Sequence, residues 1–348
     1  MNFVIACGGT GGHVFPGLAV ANALKRRGHQ VTVWFSGRAI EDSTKHDWDG
    51  AIFETGAPRL NAKGLMRIPL VVLHCIRELR RNRPDAILAM GSYTSLPPVL
   101  AACLLHIPVN LHEANAVPGK AIRFLARFAS HIAVSFPSTR NCFPGRTVSC
   151  TGLPVRTSVF ARPPLPDFPP DDTNLTILIT GGSQGAHAVN ELAADALCSL
   201  PSESIRVIHQ CGRADAADLD ARYSKVGIRH LVSPFIADMG AAYASADLVI
   251  ARAGASTCFE LCALGKPAIL IPLPSAMNDH QTLNAQAMSQ CGGALLCPQA
   301  DLTPEKLTAL LKAFASDRPR LTRMGSALKE LAVPDATKEI CQLLERGG

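Results

Sequence analysis

Aromatic residues are scarce in this chain: Phe, Trp and Tyr make up 5% of its 348 residues. Few stacking surfaces are therefore on offer to nucleobases, which argues against a nucleic-acid reader. Uninterrupted apolar runs stay below the roughly 18 residues a membrane-crossing helix needs. The first residues run straight into an apolar, β-rich segment, FVIAC, leaving no room for a charged n-region and an apolar h-region, so no signal peptide is expected. Cysteine is present twelve times, yet no CxxC pair or repeated spacing occurs. That pattern fits buried small hydrophobes in a reducing compartment rather than a disulfide framework or a zinc site. Two nucleotide signatures are also missing. After Gly9 and Gly11, the third glycine of a dinucleotide fingerprint is replaced by Val14, and the strand QVTVWF runs into Ser36-Gly37-Arg38 instead of an acid. No Lys-Ser/Thr pair follows the glycines, which excludes a P-loop.

What is present describes a folded, two-part protein. Hydrophobic residues make up 47% and charged residues 18%, and the length exceeds what a single core usually serves. FVIAC, QVTVWF, DAILAM and VNLHE alternate with helical stretches such as 17–27 and 69–82. A second series, LTILIT, IRVIHQ, HLVSPF, ADLVIAR and PAILIP, does the same. Alternation of this kind predicts α/β architecture, with two doubly wound parallel-sheet domains facing a cleft. The expected division is an N-terminal domain over 1–160, a boundary loop or linker over 161–174 with five prolines, a C-terminal domain over 175–333, and a terminal helix over 334–348. That helix is open to packing on either domain, the N-terminal one included. Charge divides unevenly too. Residues 1–150 carry 17 Lys and Arg against 8 Asp and Glu, whereas 151–348 carry 17 against 20. The first half thus expects an anionic partner.

Glycine-rich turns follow strands at ACGGTGGH, ITGGSQGA and ARAGAST. Glycine lets backbone amides approach a ligand closely, and a helix starting behind the turn supplies unpaired N–H donors, so a phosphate is the expected guest. A sugar nucleotide fits best once dinucleotides and P-loop ligands are excluded. Glu260 lies five residues beyond Ala255, within reach of a ribose diol, or it is a first-turn acid favoured by the helix dipole. His13 closes the first glycine turn as a candidate base, with a capping role as the alternative. Glu113 ends another apolar strand as a rival base or an orienting partner. Asp47-Trp48-Asp49 and Asp218-Leu219-Asp220 both spell DxD, but neither ends an apolar strand, so both are expected to be solvated surface rather than a metal site.

The ordered set GGTGGHVFP, HEANAVPG, TGLPVR, TGGSQGA, RAGASTCFELCALGKPAILIP and DHQTLNA resembles the MurG family of peptidoglycan UDP-N-acetylglucosamine transferases, in glycosyltransferase family 28. The resemblance runs from residue 1 to about 335. It implies a glycosyltransferase B fold and transfer of GlcNAc from UDP-GlcNAc to lipid I, an undecaprenyl-diphosphate-linked acceptor, giving lipid II with inversion. Donor contacts carried over by the matching motifs are Thr10, Gly11, Gly12, Asn115, Arg156, Ser183, Ile236, Ala255, Ser256, Thr257, Glu260, Gln281 and Asn284. His13 matches the family's proposed base. The acceptor loop usually reads GxGGYxSGP; here it is Met90-Gly91-Ser92-Tyr93-Thr94-Ser95-Leu96-Pro97, with Ser92 and Leu96 in place of glycines. Gly91, Ser92, Tyr93 and Ser95 are the acceptor-side candidates. Between Lys63 and Arg83, aliphatics including Met66 and Leu70 alternate with Arg67, Arg77 and Arg80. This segment is either a basic amphipathic surface for an anionic membrane or a core face with solvated arginines. A peripheral location on the cytoplasmic face of the bacterial plasma membrane follows from the resemblance, with other cell-wall synthesis proteins open as partners. No protein-held cofactor or metal is expected, and a free magnesium ion on the diphosphate stays open. Rival readings are another transferase of this fold, a UDP-GlcNAc 2-epimerase, and a noncatalytic sugar-nucleotide-binding module.

Overall fold

The structure is a computed structural model; it describes residues 1–348 apart from 10, 39–40, 42–44, 46–47, 59–60, 161, 172, 183–184, 334 and 348, and apart from the side chains of 62, 63 and 65. Two compact units are formed, one by 1–156 with 333–348 and the other by 157–332. The N-terminal unit runs β1 (Asn2–Ala6), α1 (Gly11–Arg26), β2 (Gln30–Phe35), β3 (Ala51–Glu54), α2 (Ala62–Arg81), β4 (Ala86–Ala89), α3 (Leu96–Leu104), β5 (Val109–Glu113), α4 (Lys120–Leu125), β6 (His131–Val134) and β7 (Val148–Cys150). The C-terminal unit opens with β8 (Leu175–Thr180), α5 (His187–Cys198), β9 (Ile205–Gln210), α6 (Ala216–Lys225), β10 (Arg229–Ser233) and α7 (Met239–Ser245). It continues with β11 (Leu248–Ala251), α8 (Ala255–Leu264), β12 (Ala268–Leu270), α9 (His280–Gln290), β13 (Ala294–Leu296), α10 (Pro304–Ser316) and α11 (Arg318–Leu331). A last helix, α12 (Ala336–Gly347), returns to the N-terminal unit.

Each unit holds one parallel sheet, with strand order β3-β2-β1-β4-β5-β6-β7 in the first and β10-β9-β8-β11-β12-β13 in the second. The apolar runs explain this directly, since strands covered by helices on both faces read as continuous hydrophobic segments; β4, β8 and β11 are buried at every residue. Strand order reverses between β1 and β4 and between β8 and β11. At such a switch point neighbouring connections leave toward opposite faces and open a crevice at the carboxyl ends of the strands. Ala6 pairs with Ala89, and Thr180 with Ala251, so four turns leave in pairs from the two switch points.

Two helices start earlier than their sequences suggest. α1 begins at Gly11 rather than 17, despite Gly11, Gly12 and Pro16 being poor helix formers. The first four N–H groups of any helix lack intrahelical partners, so Pro16, the sixth residue, forfeits a single bond. α2 begins at Ala62, where the Asn61 side chain accepts from Gly64 N at 2.8 Å as its cap. The chain crosses between units at 156–157, ahead of the proline-rich stretch. That stretch packs on the C-terminal unit: Phe168 is buried, Leu165 N donates to Ser245 Oγ at 2.8 Å, and Arg206 reaches Pro169 O at 2.8 Å. In α12, Ile340, Cys341 and Leu344 enter the core around Leu18, Ala21 and Leu24 of α1, and Glu345 accepts from Arg27 at 2.9 Å.

Candidate active site

In the N-terminal unit the turn after β1 is shaped by close packing. A Cβ on Gly8 would stand 2.6 Å from Ser36 N, and Gly9 has φ +125°, where a side chain is strained. Gly11 and Gly12 form the first turn of α1, one residue before His13. Thr10 lies outside the described residues. The His13 ring lies against Gly91 of the turn after β4, where a Cβ would be 3.3 Å from Nε2 and 3.1 Å from Cδ2. Gly91 itself has φ +100° and Ser92 φ +64°. Ser95 Oγ donates to Gly91 O, Thr94 Oγ1 donates to Gly8 O at 2.7 Å, and Ser92 Oγ faces Gly9. The glycine turns after β1 and β4 therefore form one cradle around His13. Replacing two family glycines by Ser92 and Leu96 leaves the positive φ at Ser92 in place, at the cost of a left-handed non-glycine residue.

His112, on β5, belongs to this region although its sequence context gave no sign of it. It is fully buried and donates through Nε2 to Gly152 O at 3.1 Å. Burial pushes its pKa down to about 4, and the neighbouring charge of His13 acts in the same direction. A neutral His112 sets no opposing charge beside His13. Of the two readings of Glu113, rival base or orienting partner, its contacts fit the second. One oxygen accepts from Asn115 N at 2.9 Å and Asn115 Nδ2 at 3.2 Å, the other from Gly119 N at 3.0 Å, and the side chain is buried. A carboxylate that gathers loop donors in this way positions the loop carrying Asn115. Arg156 lies over the ring of Phe15 at 4.7 Å, and Phe15 packs against Gly11, which sets a guanidinium beside the start of α1.

The C-terminal unit is braced mainly by uncharged side chains, with Arg252 and Asp215 beside them. Gly185 (φ +75°) would place a Cβ 2.1 Å from Cys211 O, so only glycine fits there. Ser183, between Gly182 and Gly185, lies outside the described residues. Buried Gln210, which ends β9, ties two loops together: Nε2 donates to Gly182 O at 3.0 Å and Oε1 accepts from Ile236 N at 3.0 Å. Ile236 can thus offer a base its carbonyl, while its N–H is engaged. Behind the loop, Asn190 Nδ2 donates to Cys211 O at 2.8 Å, and Asn190 Oδ1 accepts from His209 Nε2 at 3.1 Å. His209 also accepts from Tyr223 Oη at 2.9 Å, and burial pushes its pKa down to about 3. Nothing in the local sequence marks Gln210, Asn190 or His209, because strands and helices of buried residues give no hint of which polar side chain faces a loop.

At the second turn of this unit α8 begins at Ala255 behind Gly254, with no side-chain cap. Ser256 Oγ is buried without a partner and Thr257 is half-buried beside it. An uncapped helix start with an unused hydroxyl is a ready anion site. Glu260 is buried one turn on and accepts from Tyr243 Oη at 3.0 Å. Arg252 holds the same turn from below, donating to Ile271 O at 3.1 Å, Pro272 O at 2.9 Å and Gln299 at 2.7 Å. Half-buried Gln281 opens α9 with Oε1 accepting from Leu273 N at 2.9 Å, which leaves its amide N–H groups for a sugar. Asn284, one turn on from Gln281, is fully buried and donates to Ala253 O at 3.1 Å, so it fixes the backbone ahead of α8.

Among the described residues no three His, Cys, Asp or Glu side chains gather as metal ligands. Asp47 lies outside the described residues; Asp49 pairs with Lys25 at 2.7 Å, and Asp220 with His230 at 3.2 Å, as surface groups.

Residues 3–134 match the glycosyltransferase family 28 N-terminal domain and residues 176–340 the C-terminal domain of that family. A Marinobacter nauticus protein named UDP-N-acetylglucosamine–N-acetylmuramyl-(pentapeptide) pyrophosphoryl-undecaprenol N-acetylglucosamine transferase is 40% identical, covering 97% of this chain and 95% of its own. The crystal structure of Acinetobacter baumannii MurG superposes with a TM-score of 0.83 at 35% identity, over 99% of this chain and 100% of that one. UDP-GlcNAc 2-epimerase from Neisseria meningitidis shares the fold alone, with a TM-score of 0.74 at 13% identity over 99% of this chain and 100% of its own. Matches to both family domains over 3–134 and 176–340, with 40% identity over 97% of the chain to the Marinobacter nauticus transferase, place this chain in glycosyltransferase family 28, within the MurG family.

Proposed function

We propose that this protein transfers GlcNAc from UDP-GlcNAc to the 4-hydroxyl of the MurNAc of lipid I, forming lipid II, by a single in-line displacement with inversion. The observations that carry this reading are the cradle around His13 in one unit and, in the other, an uncapped helix start followed by buried Glu260. His13 takes the proton of the acceptor hydroxyl as it attacks the anomeric carbon. The leaving UDP oxygen gains charge as the glycosidic bond breaks, and the amides of α8, Ser256 and Arg156 stabilise it. Glu260 accepts from the ribose hydroxyls, the Ile236 carbonyl meets the uracil, and Gln281 donates to the GlcNAc. A divalent ion, where used, arrives with the diphosphate rather than in a protein-built site.

The acceptor is membrane-borne, and α2 suits a membrane surface. No helix among the described residues is long and apolar enough to cross a bilayer. On α2, however, Met66, Leu70 and Leu73 are 81%, 67% and 51% exposed, while Val71, Val72, Cys75 and Leu79 are core. Arg67, Arg77 and Arg80 are exposed on the same helix; the Lys63 side chain lies outside the described residues. An apolar stripe flanked by arginines supports peripheral binding to an anionic leaflet, which we place on the cytoplasmic side.

The test is UDP release from UDP-GlcNAc with and without a water-soluble lipid I analogue. Analogue-dependent release with a GlcNAc-bearing product is expected, and His13→Ala should lower kcat by about 10²–10⁴-fold at unchanged donor affinity. Donor binding without analogue-dependent release would point to an epimerase or a binding module.

A further inference from the structure

Arg38 lies in the turn after β2, beside the cradle of the N-terminal unit, and the mechanism above leaves it unused. Its guanidinium carbon is 4.9 Å from the centroid of the Tyr93 ring, a cation–π distance. Nη2 is buried and has no hydrogen-bond partner, and the guanidinium forms no ion pair among the described residues. A buried cationic donor left in this state is unusual, because burial removes water and nothing replaces it.

The backbone beneath Arg38 is firmly held. The fully buried Glu41 carboxylate accepts from Ser36 N at 2.9 Å, Gly37 N at 2.9 Å, Arg38 N at 3.1 Å and, across to the first glycine turn, Gly9 N at 2.7 Å. Glu41 therefore compensates the main chain of both turns, and the Arg38 side chain is directed elsewhere, over Tyr93. Tyr93 follows Ser92, which faces Gly9. Since β2, β1 and β4 are adjacent in the sheet, their turns bring one unpaired guanidinium, one aromatic face and the start of α1 to the same edge.

We infer that Arg38 binds the diphosphate of the lipid-linked acceptor, its face on Tyr93 and its N–H edge on the phosphate oxygens. A planar fork with one face stacked keeps its donors in a fixed plane, which suits two adjacent phosphates better than a lysine point charge would. The loss of two family glycines from the acceptor turn makes a side-chain donor here more consequential. The acceptor's identity rests on the transferase reading above; the diphosphate site itself rests only on this cluster.

The experiment uses the full chain saturated with UDP, so that the donor site is filled, and titrates inorganic diphosphate calorimetrically into wild type, Arg38→Ala, Arg38→Gln and Arg38→Lys. Steady-state KM values for the lipid I analogue and for UDP-GlcNAc are measured on the same proteins. Diphosphate affinity should fall at least tenfold in Arg38→Ala and Arg38→Gln and by an intermediate factor in Arg38→Lys. Analogue KM should rise at least tenfold while donor KM stays within twofold. If Arg38→Ala fails to fold, the glutamine and lysine variants, which keep a long side chain over Tyr93, decide the matter. A folded Arg38→Gln protein with wild-type diphosphate affinity, or wild type that binds no diphosphate once UDP is present, overturns the inference. Normal transfer with unchanged analogue KM in Arg38→Gln overturns it as well and leaves the transferase reading standing. Arg38-dependent diphosphate binding without any transfer supports the site and sinks the transferase reading.

Discussion

The two units solve one problem, holding an anion at a switch point, with different chemistry. In the N-terminal unit the turns are organised by buried carboxylates, Glu41 on the backbone after β1 and β2 and Glu113 on the loop after β5. In the C-terminal unit they are organised mainly by amides and an imidazole, Gln210, Asn190, His209 and Asn284, with charged Arg252 and Asp215 alongside. The unit proposed to hold the doubly phosphorylated donor is also the one whose sequence leans acidic. Net charge is thus a poor guide to where a phosphate binds, since helix starts and aligned amides act over a few ångströms while exposed side-chain charges are screened. The basic excess of the first half stands instead on surfaces such as α2.

The sharpest way to break the comparison is to damage one brace and watch the other unit. Gly185→Ala would push a methyl group into Cys211 O in a left-handed residue and should destabilise the C-terminal unit by about 3 kcal/mol or more. Gly182→Ala, with φ +85° and nothing within 4 Å of the added Cβ, should lose only about 1 kcal/mol. Thermal unfolding and UDP affinity check both, and comparable losses in the two variants would refute the steric argument.

Acid comes next. Both His112 and His209 have folded values below the unfolded value near 6.5, at about 4 and about 3 respectively. The unfolded chain then binds protons first, so stability is complete above about pH 6.5 and is lost as pH falls through the folded values. For His112 the loss amounts to about 3 kcal/mol once pH is below 4. His209 should titrate lower still, so the C-terminal unit continues to lose stability where the N-terminal unit has levelled. Urea unfolding between pH 7 and about 3 tests this, and a His209→Gln protein with an unchanged pH slope would contradict it.

A further effect, smaller than the acid one, is expected at the membrane. Arg77→Glu should weaken binding to anionic vesicles by about 2 kcal/mol, since one attractive charge of about 1 kcal/mol is replaced by a repulsive one, with little change in turnover of a soluble acceptor. Equal vesicle binding by wild type and variant would assign the α2 arginines to a solvated face.

Much of this arrangement was legible in the chain. Alternating apolar strands and helices dictated two parallel sheets, because a strand buried on both faces has no polar alternation to hide. The glycine turns and the position of His13 were equally plain, since close backbone approach leaves few residue types to choose from. Side-chain duties inside the turns were not. Glu113 and Asn284 brace loops, and the partners through which they do so, Gly119 for one and Ala253 for the other, differ greatly in sequence separation.

What the sequence determined by itself was the class of each segment and the chemistry available at its end, both local consequences of period, glycine and charge. Only the tertiary structure decided which ends meet. Sheet order set the turn after β1 beside the turn after β4 and the Arg38 guanidinium over Tyr93, and it returned α12 to the first unit. Such pairings depend on strand neighbours far apart in the chain, and burial then settles whether a polar group there is left for a ligand or consumed by the fold.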